Sequence, residues 1–167
     1  MNLFILRHGI AVERGASGFS DDARRPLMVK GEERIQDAAR AMQALELSFD
    51  SILSSPYLRA SQTAKIVTRT FKCGDLLEFS DHLTPEGDPK ALIRQINQFC
   101  PARENILLVG HEPYLSRFIS LLVSGEDRLA ITLKKGGLAR LEVERLQYGR
   151  CATLAWLLTP KQLGLMD

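Results

Sequence analysis

Two histidines and two arginines each follow an apolar run that is typical of a buried strand. Arg7 and His8 end the first run, Arg59 lies in a Ser-Pro-x-x-Arg segment after the second, and His111 follows a later one. A neutral imidazole is a nucleophile, and arginine binds phosphate oxygens through paired hydrogen bonds. These residue types predict phosphoryl transfer, in which the imidazole of His8 attacks phosphorus while the arginines hold the phosphoryl oxygens.

The junctions that carry these residues are predicted to meet at one edge of a sheet, because strands and helices alternate along most of the chain. Strands are expected at residues 3–6, 51–54, 76–79 and 105–109, and helices at 30–47, 58–71, 89–99 and 113–123. Parallel strands end at a common edge, where α/β folds bind ligands. Strand-like runs at 130–132, 137–143 and 153–158 then follow without helices between them. The predicted fold class is α/β: a three-layer sandwich with a mostly parallel central sheet, flanked by helices, and an antiparallel C-terminal part.

The order and context of these segments resemble the histidine phosphatase superfamily (phosphoglycerate mutase-like), and most closely its small SixA-type branch of phosphohistidine phosphatases. The similar segments are Arg-His-Gly at 7–9, Ser-Pro-x-x-Arg-Ala-x-Gln-Thr-Ala at 55–64 and Gly-His at 110–111, and the resemblance extends from residue 1 to about 143. It implies that His8 is the residue that becomes phosphorylated. It also implies that Arg7, Arg59 and His111 form the phosphate pocket, with Gly9 in the substrate-binding surface.

Residues 10–29 lack periodicity and are expected to form a long loop, which is often functional in a compact domain. The loop contains Arg25-Pro26-Leu27 with Gly31 after it, which resembles an Arg-Pro-Leu-x-x-x-Gly segment of the small branch. The resemblance implies that Arg25 faces the phosphate; a solvated basic loop balanced by Asp21 and Asp22 is the alternative. Likewise, the Lys-Lys-Gly-Gly segment at 134–137 either approaches the pocket or forms a charged turn between strands.

The general acid is where the chain departs from the family pattern. Many superfamily members carry a glutamate in a Leu-x-Glu stretch, whereas this chain has Leu83-Thr84-Pro85. A phosphoramidate releases neutral imidazole with less acid assistance than an ester needs to release an alkoxide, so a missing donor favours a P–N substrate. Glu86 is a candidate for a weak general acid, and Asp88 is expected to cap the helix that follows it.

Length and composition limit the remaining possibilities. The 167 residues suit one histidine-phosphatase domain over 1–167 without a cap insertion, and a net charge of +2 is too small for nucleic-acid binding. Cys73, Cys100 and Cys151 are odd in number and widely spaced, which favours free thiols over disulfides or a zinc site. No run approaches the roughly 18 apolar residues of a membrane span. A cytoplasmic monomer without metal or cofactor is expected.

The sequence therefore predicts a metal-independent phosphohistidine phosphatase. The short segments between the junctions predict an open pocket, suited to a phosphohistidine displayed on a protein such as a phosphotransfer domain. Two alternatives stay open. One is a small-molecule phosphomonoesterase or mutase of the same superfamily that uses Glu86 as its acid. The other is a non-catalytic module that binds phosphoryl groups, although binding alone would not require both His8 and His111.

Overall fold

The structure is a computed structural model that describes residues 1–99 and 102–166. Within these residues, six strands occur along the chain: β1 (Asn2–Arg7), β2 (Ser51–Ser54), β3 (Leu77–Phe79), β4 (Asn105–Gly110), β5 (Leu138–Val143) and β6 (Ala152–Leu158). The α-helices of the same residues are α1 (Val29–Ala44), α2 (Leu58–Phe71), α3 (Pro89–Asn97), α4 (Tyr114–Ser124) and the short α5 (Pro160–Leu163).

The strands form one sheet in the order β3-β2-β4-β1-β5-β6. The pairs β1 with β4, β4 with β2, and β2 with β3 are parallel, whereas β5 is antiparallel to both β1 and β6. Because β1 and β4 are neighbours that lead into different helices, a crevice opens at their carboxyl ends, as is usual in α/β sheets. The predicted fold class, mostly parallel with an antiparallel C-terminal part, is confirmed.

Two hydrophobic clusters, one on each face of the sheet, make up the core. Leu3 and Ile5 of β1 point into the cluster that includes α3 and α4, while Phe4 and Leu6 point into the cluster that includes α1 and α2. A strand that is apolar at every position is therefore required, since both of its faces are covered by helices. The three-layer arrangement thus holds the ends of the strands in fixed positions relative to one another.

Local signals explain where several helices begin and end. Asp88 caps α3 by accepting a hydrogen bond from the Lys90 amide at 2.8 Å, as expected from the sequence, and Pro89 follows at the first helical position. Gly125 ends α4 in the left-handed conformation, with φ of 89°. Thr159 and Gln162 form a capping box around α5, which sequence periodicity did not predict because the helix has only four residues.

Three predictions about local structure were wrong or incomplete. Residues 130–132 are not a strand: they form a connection without regular secondary structure, so only two strands follow α4 in the described residues. The first long helix ends at Ala44 rather than near residue 47, and Glu46 then adopts a φ of 55°. The loop 10–29 contains a short 3-10 helix, Asp22–Arg24, and a bridge between Ala11 and Leu27.

Candidate active site

The candidate site lies where β1, β2 and β4 end side by side. Arg7 and His8 close β1, Arg59 lies in the first turn of α2 after β2, and His111 follows β4 directly. The register aligns Arg7 with Gly110, so the two histidine-bearing junctions are level with one another. The His8 and His111 rings are consequently 5.0 Å apart between centroids. The fold thus brings together the four side chains that the sequence proposed as catalytic.

His8 is held with one ring nitrogen ready to react. Its Nδ1 lies 2.7 Å from the carbonyl oxygen of Gly9. A carbonyl oxygen only accepts, so Nδ1 carries the hydrogen of this bond. The other nitrogen, Nε2, accepts a hydrogen bond from Arg59 Nε at 3.2 Å, so its lone pair points towards the Arg59 guanidinium. This geometry fits a neutral imidazole that carries its hydrogen on Nδ1 and its lone pair on Nε2.

Electrostatics favour the same neutral state. Burial lowers the pKa of His8 well below 6.5, and the neighbouring His111 and both arginines lower it further. Burial and the nearby arginines also lower the pKa of His111, to about 3. Only 6% of His8 and 1% of His111 is exposed, so neither ring is solvated well enough to hold a proton easily. Both imidazoles are therefore neutral near pH 7 in the free protein.

Arg59 connects the nucleophile to an acidic residue, Asp22. Its Nε donates to His8, its Nη1 donates to the Asp22 carbonyl at 2.6 Å, and its Nη2 donates to the Asp22 carboxylate at 3.0 Å. The guanidinium is almost fully buried and stacks 5.4 Å from the Tyr57 ring centroid. Since arginine binds carboxylates and phosphates in the same bidentate manner, a phosphoryl group at this site would share Arg59 with the Asp22 carboxylate.

Asp22 is the site residue that sequence analysis missed. Besides Arg59, its carboxylate accepts from Arg25, at 2.9 Å from Nε and 2.8 Å from Nη2, and from Arg14 at 3.2 Å. Although partial burial opposes ionisation, the adjacent Arg59 and Arg25 lower the pKa of Asp22 to about 2. The only sequence signal was its position three residues before Arg25, which was interpreted as charge balance in a solvated loop.

Arg25 therefore reaches the site through Asp22. Its Nη1 also donates to the Val12 carbonyl at 2.6 Å, and its side chain is only 14% exposed. Arg25 is thus a structured side chain at the mouth and not a solvated one. Arg24, in contrast, is exposed on the outside of the same short helix.

Arg7 and His111 each have a buried polar atom without a hydrogen-bond partner. Arg7 Nη1 donates to the Leu133 carbonyl at 2.9 Å, but its Nε is unpaired. His111 Nε2 lies 2.8 Å from Ser55 Oγ, while its Nδ1 is unpaired. Buried polar groups are rarely left without a partner unless a ligand or water satisfies them. Two unpaired nitrogens next to a nucleophile fit an anion that accepts hydrogen bonds.

Gly9 and Glu86 are placed differently from the four central residues. The Gly9 amide donates to Thr63 Oγ1 at 3.1 Å, and the Gly9 carbonyl accepts from the His8 ring. Gly9 therefore orients the His8 ring, and the substrate contact expected of it receives no support. Thr63 in turn donates to the Arg59 carbonyl at 2.7 Å, which couples the two junctions. Glu86 is exposed on the loop before α3 and lines a groove of about 600 Å³ together with Tyr114; none of the four central residues lines that groove.

Other chemistry has little support in the described residues. Within residues 1–99 and 102–166, no three His, Cys, Asp or Glu side chains are grouped so that they could hold a metal ion. Cys73 and Cys151 are half-buried free thiols, and Cys100 lies outside the described residues. In the part of the chain that the structure describes, no helix has the length and apolar character needed to cross a membrane.

Two imidazoles and two arginines meet at the carboxyl end of a mostly parallel sheet, an arrangement typical of the histidine phosphatase class. The chain belongs to the histidine phosphatase superfamily, and within it to the SixA-type branch. The model of branch 1 of this superfamily matches residues 3–82. An uncharacterized protein of Picosynechococcus sp. is 34% identical over 98% of this chain and 99% of its own length.

Two further comparisons cover nearly the whole chain. The phosphohistidine phosphatase SixA of Escherichia coli is 27% identical over 99% of this chain and 98% of its own length. A solved structure of the protein histidine phosphatase SixA complexed with tungstate superposes with a TM-score of 0.80 at 26% identity, covering 98% of this chain and 99% of that chain. The fold of this protein is thus the SixA-like fold over essentially its full length.

Proposed function

We propose that this protein is a phosphohistidine phosphatase that acts on a phosphohistidine-bearing protein, needs no metal ion, and works through a covalent phosphohistidine on His8. The observation that carries the proposal is the His8 ring itself. Its Nδ1 is fixed on the Gly9 carbonyl, and its Nε2 lone pair faces the Arg59 guanidinium. We further propose that residues 1–167 act as one domain without a cap.

In the first step, His8 Nε2 attacks phosphorus, the P–N bond of the substrate breaks, and the released imidazole takes a proton from solvent. Arg59 and Arg7 neutralise the charge of the transferring phosphoryl group, which is the main requirement of such a reaction. The unpaired Nε of Arg7 and Nδ1 of His111 supply two further contacts to the phosphoryl oxygens. For His111 Nδ1 to donate as a neutral ring, its Nε2 accepts from the Ser55 hydroxyl, which already accepts from the Tyr57 amide at 3.2 Å.

In the second step, water attacks the phosphorus on His8, the bond between phosphorus and Nε2 breaks, and the phosphate leaves with both protons of the water as H₂PO₄⁻. Two easier steps thereby replace one difficult one. His8 returns to its neutral state without needing to lose a proton to a strong base, because burial keeps its pKa low. The arginines that bind the phosphoryl group in the first step remain in place for the second.

A phosphoramidate substrate is favoured over a phosphate ester by two observations. The chain has Pro85 where many superfamily members have a glutamate acid, and Glu86 is exposed and makes no described hydrogen bond or ion pair. A leaving imidazole tolerates the missing acid better than an alkoxide does. The similarity to the phosphohistidine phosphatase SixA of E. coli supports the same substrate class.

The test uses phosphohistidine, prepared from histidine and phosphoramidate, as the substrate and p-nitrophenyl phosphate as the comparison ester. Turnover of each substrate is measured, and the phosphorylated enzyme is trapped. We expect a far higher kcat/KM for phosphohistidine and an acid-labile, base-stable label on His8 in rapidly quenched protein. His8→Gln should lose both activity and label. The matched control is His82→Gln, since His82 lies in the short helix Asp81–Leu83 and makes no described contact with the four central residues; it should keep both.

Several outcomes would overturn the proposal. Turnover or labelling that persists in His8→Gln would exclude His8 as the nucleophile. A higher kcat/KM for the ester, lost in Glu86→Gln, would favour the small-molecule phosphomonoesterase instead. Tight phosphate binding with no turnover of either substrate would favour a module that only binds phosphoryl groups.

A further inference from the structure

The rim of the candidate site follows the order of the strands along the sheet edge. On one side of β1 lies the turn before β5, and beyond it α5 follows β6. On the other side, past β4 and β2, lies the loop that connects β3 to α3. The two ends of this rim, at β5 and β3, are four strand spacings apart, or about 19 Å.

The β5 side of the rim is basic. Lys134 and Lys135 are exposed on a turn whose Gly136 amide donates to the carbonyls of Arg7 and His8, at 3.0 and 3.1 Å. The carbonyl of Leu133, next to Lys134, holds the Arg7 guanidinium. Exposed Lys161 extends this basic side, because Pro160 packs against the Gly136 backbone. None of the three lysines forms an ion pair with the described residues.

The β3 side of the rim is acidic. Asp81, Glu86 and Asp88 are exposed on the loop that packs against the end of β4 at Gly110, and none of them forms an ion pair with a described residue. The groove that Glu86 lines also contains Arg117 and Arg128, but Glu126 and Asp127 line it too, so carboxylates outnumber cations there. On α3, the Lys90 Nζ lies over the Tyr148 ring, 4.7 Å from its centroid. The phosphoryl site therefore lies between a basic and an acidic margin.

We infer that this charge-polarised rim, basic at Lys134, Lys135 and Lys161 and acidic at Asp81, Glu86 and Asp88, docks a protein surface that carries the opposite charges on the two sides of its phosphohistidine. The inference rests on the proposed function. Complementary charges at the margin of an interface mainly accelerate encounter and set orientation. A free phosphorylated amino acid is too small to contact both margins, so only a larger partner benefits from them.

The acidic margin disfavours nucleic acids and anionic membranes, which would otherwise bind to a basic surface. A nucleic acid or an anionic membrane presents the same negative charge along its whole length, so it would be repelled by Asp81, Glu86 and Asp88 when it reached the three lysines. A protein surface with segregated charges satisfies both margins at once. The rim thus fits a folded partner in one orientation.

The experiment uses peptides with a central phosphohistidine and one fixed composition of glutamates and lysines. Two peptides segregate the charges, with glutamates before or after the phosphohistidine, and a third alternates them. Each kcat/KM is divided by that of free phosphohistidine for the same protein variant. At low ionic strength, this ratio is expected to be about 5- to 10-fold higher for one segregated peptide than for the alternating one, as is reasonable for charges at an interface margin.

Charge reversal identifies the margin that is responsible. Lys134→Glu with Lys135→Glu should abolish the preference, and Lys161→Glu alone should reduce it, which keeps the test valid if the double variant folds poorly. The matched control is Arg145→Glu with Arg150→Glu, which changes net charge equally but lies at the opposite end of β5, roughly 20 Å away. This control should keep the preference, and about 0.5 M salt should remove it.

Equal ratios for all three peptides, or equal loss of preference in the Arg145→Glu with Arg150→Glu control, would overturn the docking inference while leaving the proposed function intact. No hydrolysis of any phosphohistidine, free or in a peptide, would overturn the proposed function and the docking inference with it.

Discussion

Replacing Asp22 with asparagine is expected to tighten the binding of phosphate-like anions. The Asp22 carboxylate lies 3.0 Å from Arg59 Nη2 and 2.8 Å from Arg25 Nη2, where it acts as an internal counter-ion for the phosphoryl site. A phosphoryl group on His8 must share Arg59 with this carboxylate. Asparagine keeps a carbonyl oxygen that accepts a hydrogen bond but removes the negative charge that competes with the ligand.

The size of the effect follows from the distances involved. Two unit negative charges about 5 Å apart repel each other by about 0.8 kcal/mol in water and about 3 kcal/mol at an effective dielectric constant near 20. Asp22 retains 23% of its side-chain exposure, so the effect belongs near the lower end of that range. We therefore expect the dissociation constant of a phosphate-like anion to fall about 5- to 10-fold, since about 1.4 kcal/mol corresponds to tenfold.

The assay is inhibition of phosphohistidine turnover by inorganic phosphate and by tungstate, supported by calorimetric titration at pH 7. The matched control is Asp21→Asn, because the Asp21 side chain caps the Ala23 amide at 2.9 Å and makes no described contact with an arginine side chain. Unchanged or weaker anion binding in Asp22→Asn would refute the reasoning, since it would mean that the carboxylate positions Arg59 and does not compete for it.

The same variant also has an expected stability signature. The pKa of Asp22 is lowered from 3.8 to about 2 in the folded protein, so its ionised form stabilises the fold above pH 4, and this contribution is lost as the pH falls towards 2. Asp22→Asn should therefore lower the free energy of unfolding at pH 7, and the difference from the wild type should shrink on acidification. A constant difference across this range of pH would contradict the ion-pair account.

Three other perturbations test the site and its support. Because the pKa of His8 is depressed, its ring should stay neutral as the pH falls through 6.5. Its NMR resonance, assigned as the one that disappears in His8→Gln, should therefore not shift between pH 8 and 6; a titration midpoint near 6.5 would show that the ring is solvated. Ser55→Ala should lower kcat about 5- to 10-fold, because the His111 ring loses its only described hydrogen-bond partner, and one such bond contributes about 1 kcal/mol. Tm should also fall, because the Tyr57 amide loses the Ser55 hydroxyl that accepts its hydrogen bond; unchanged kcat would remove Ser55 from the site. Gly31→Ala should lower Tm by roughly 4–10 °C in calorimetry, because the added Cβ would overlap the Ile10 carbonyl and such overpacking costs about 1–3 kcal/mol. The control Gly74→Ala should leave Tm unchanged, because the space around Gly74 is open.

Much of the fold was predictable because its signals are local. The strand Ser51–Ser54 and the helix Leu58–Phe71 match the predicted bounds, since turn residues and apolar spacing mark both ends. The strand prediction for residues 130–132 was wrong because β-branched and apolar residues also occur in connections between elements. A segment becomes a strand only when it pairs with a neighbouring strand. The short helix α5 was missed because four residues are too few to show periodicity.

The sequence by itself determined the residue types at the strand ends and the alternation of strands and helices that brings them to one edge. It did not determine which groups pair there. The role of Asp22 depends on how the loop 10–29 folds back onto Arg59, a contact between residues 37 positions apart that leaves no periodic trace. The charge-polarised rim likewise depends on strand order, because neighbours along a sheet edge are distant in the chain. Only the tertiary structure places the basic margin on one side of the phosphoryl site and the acidic margin on the other.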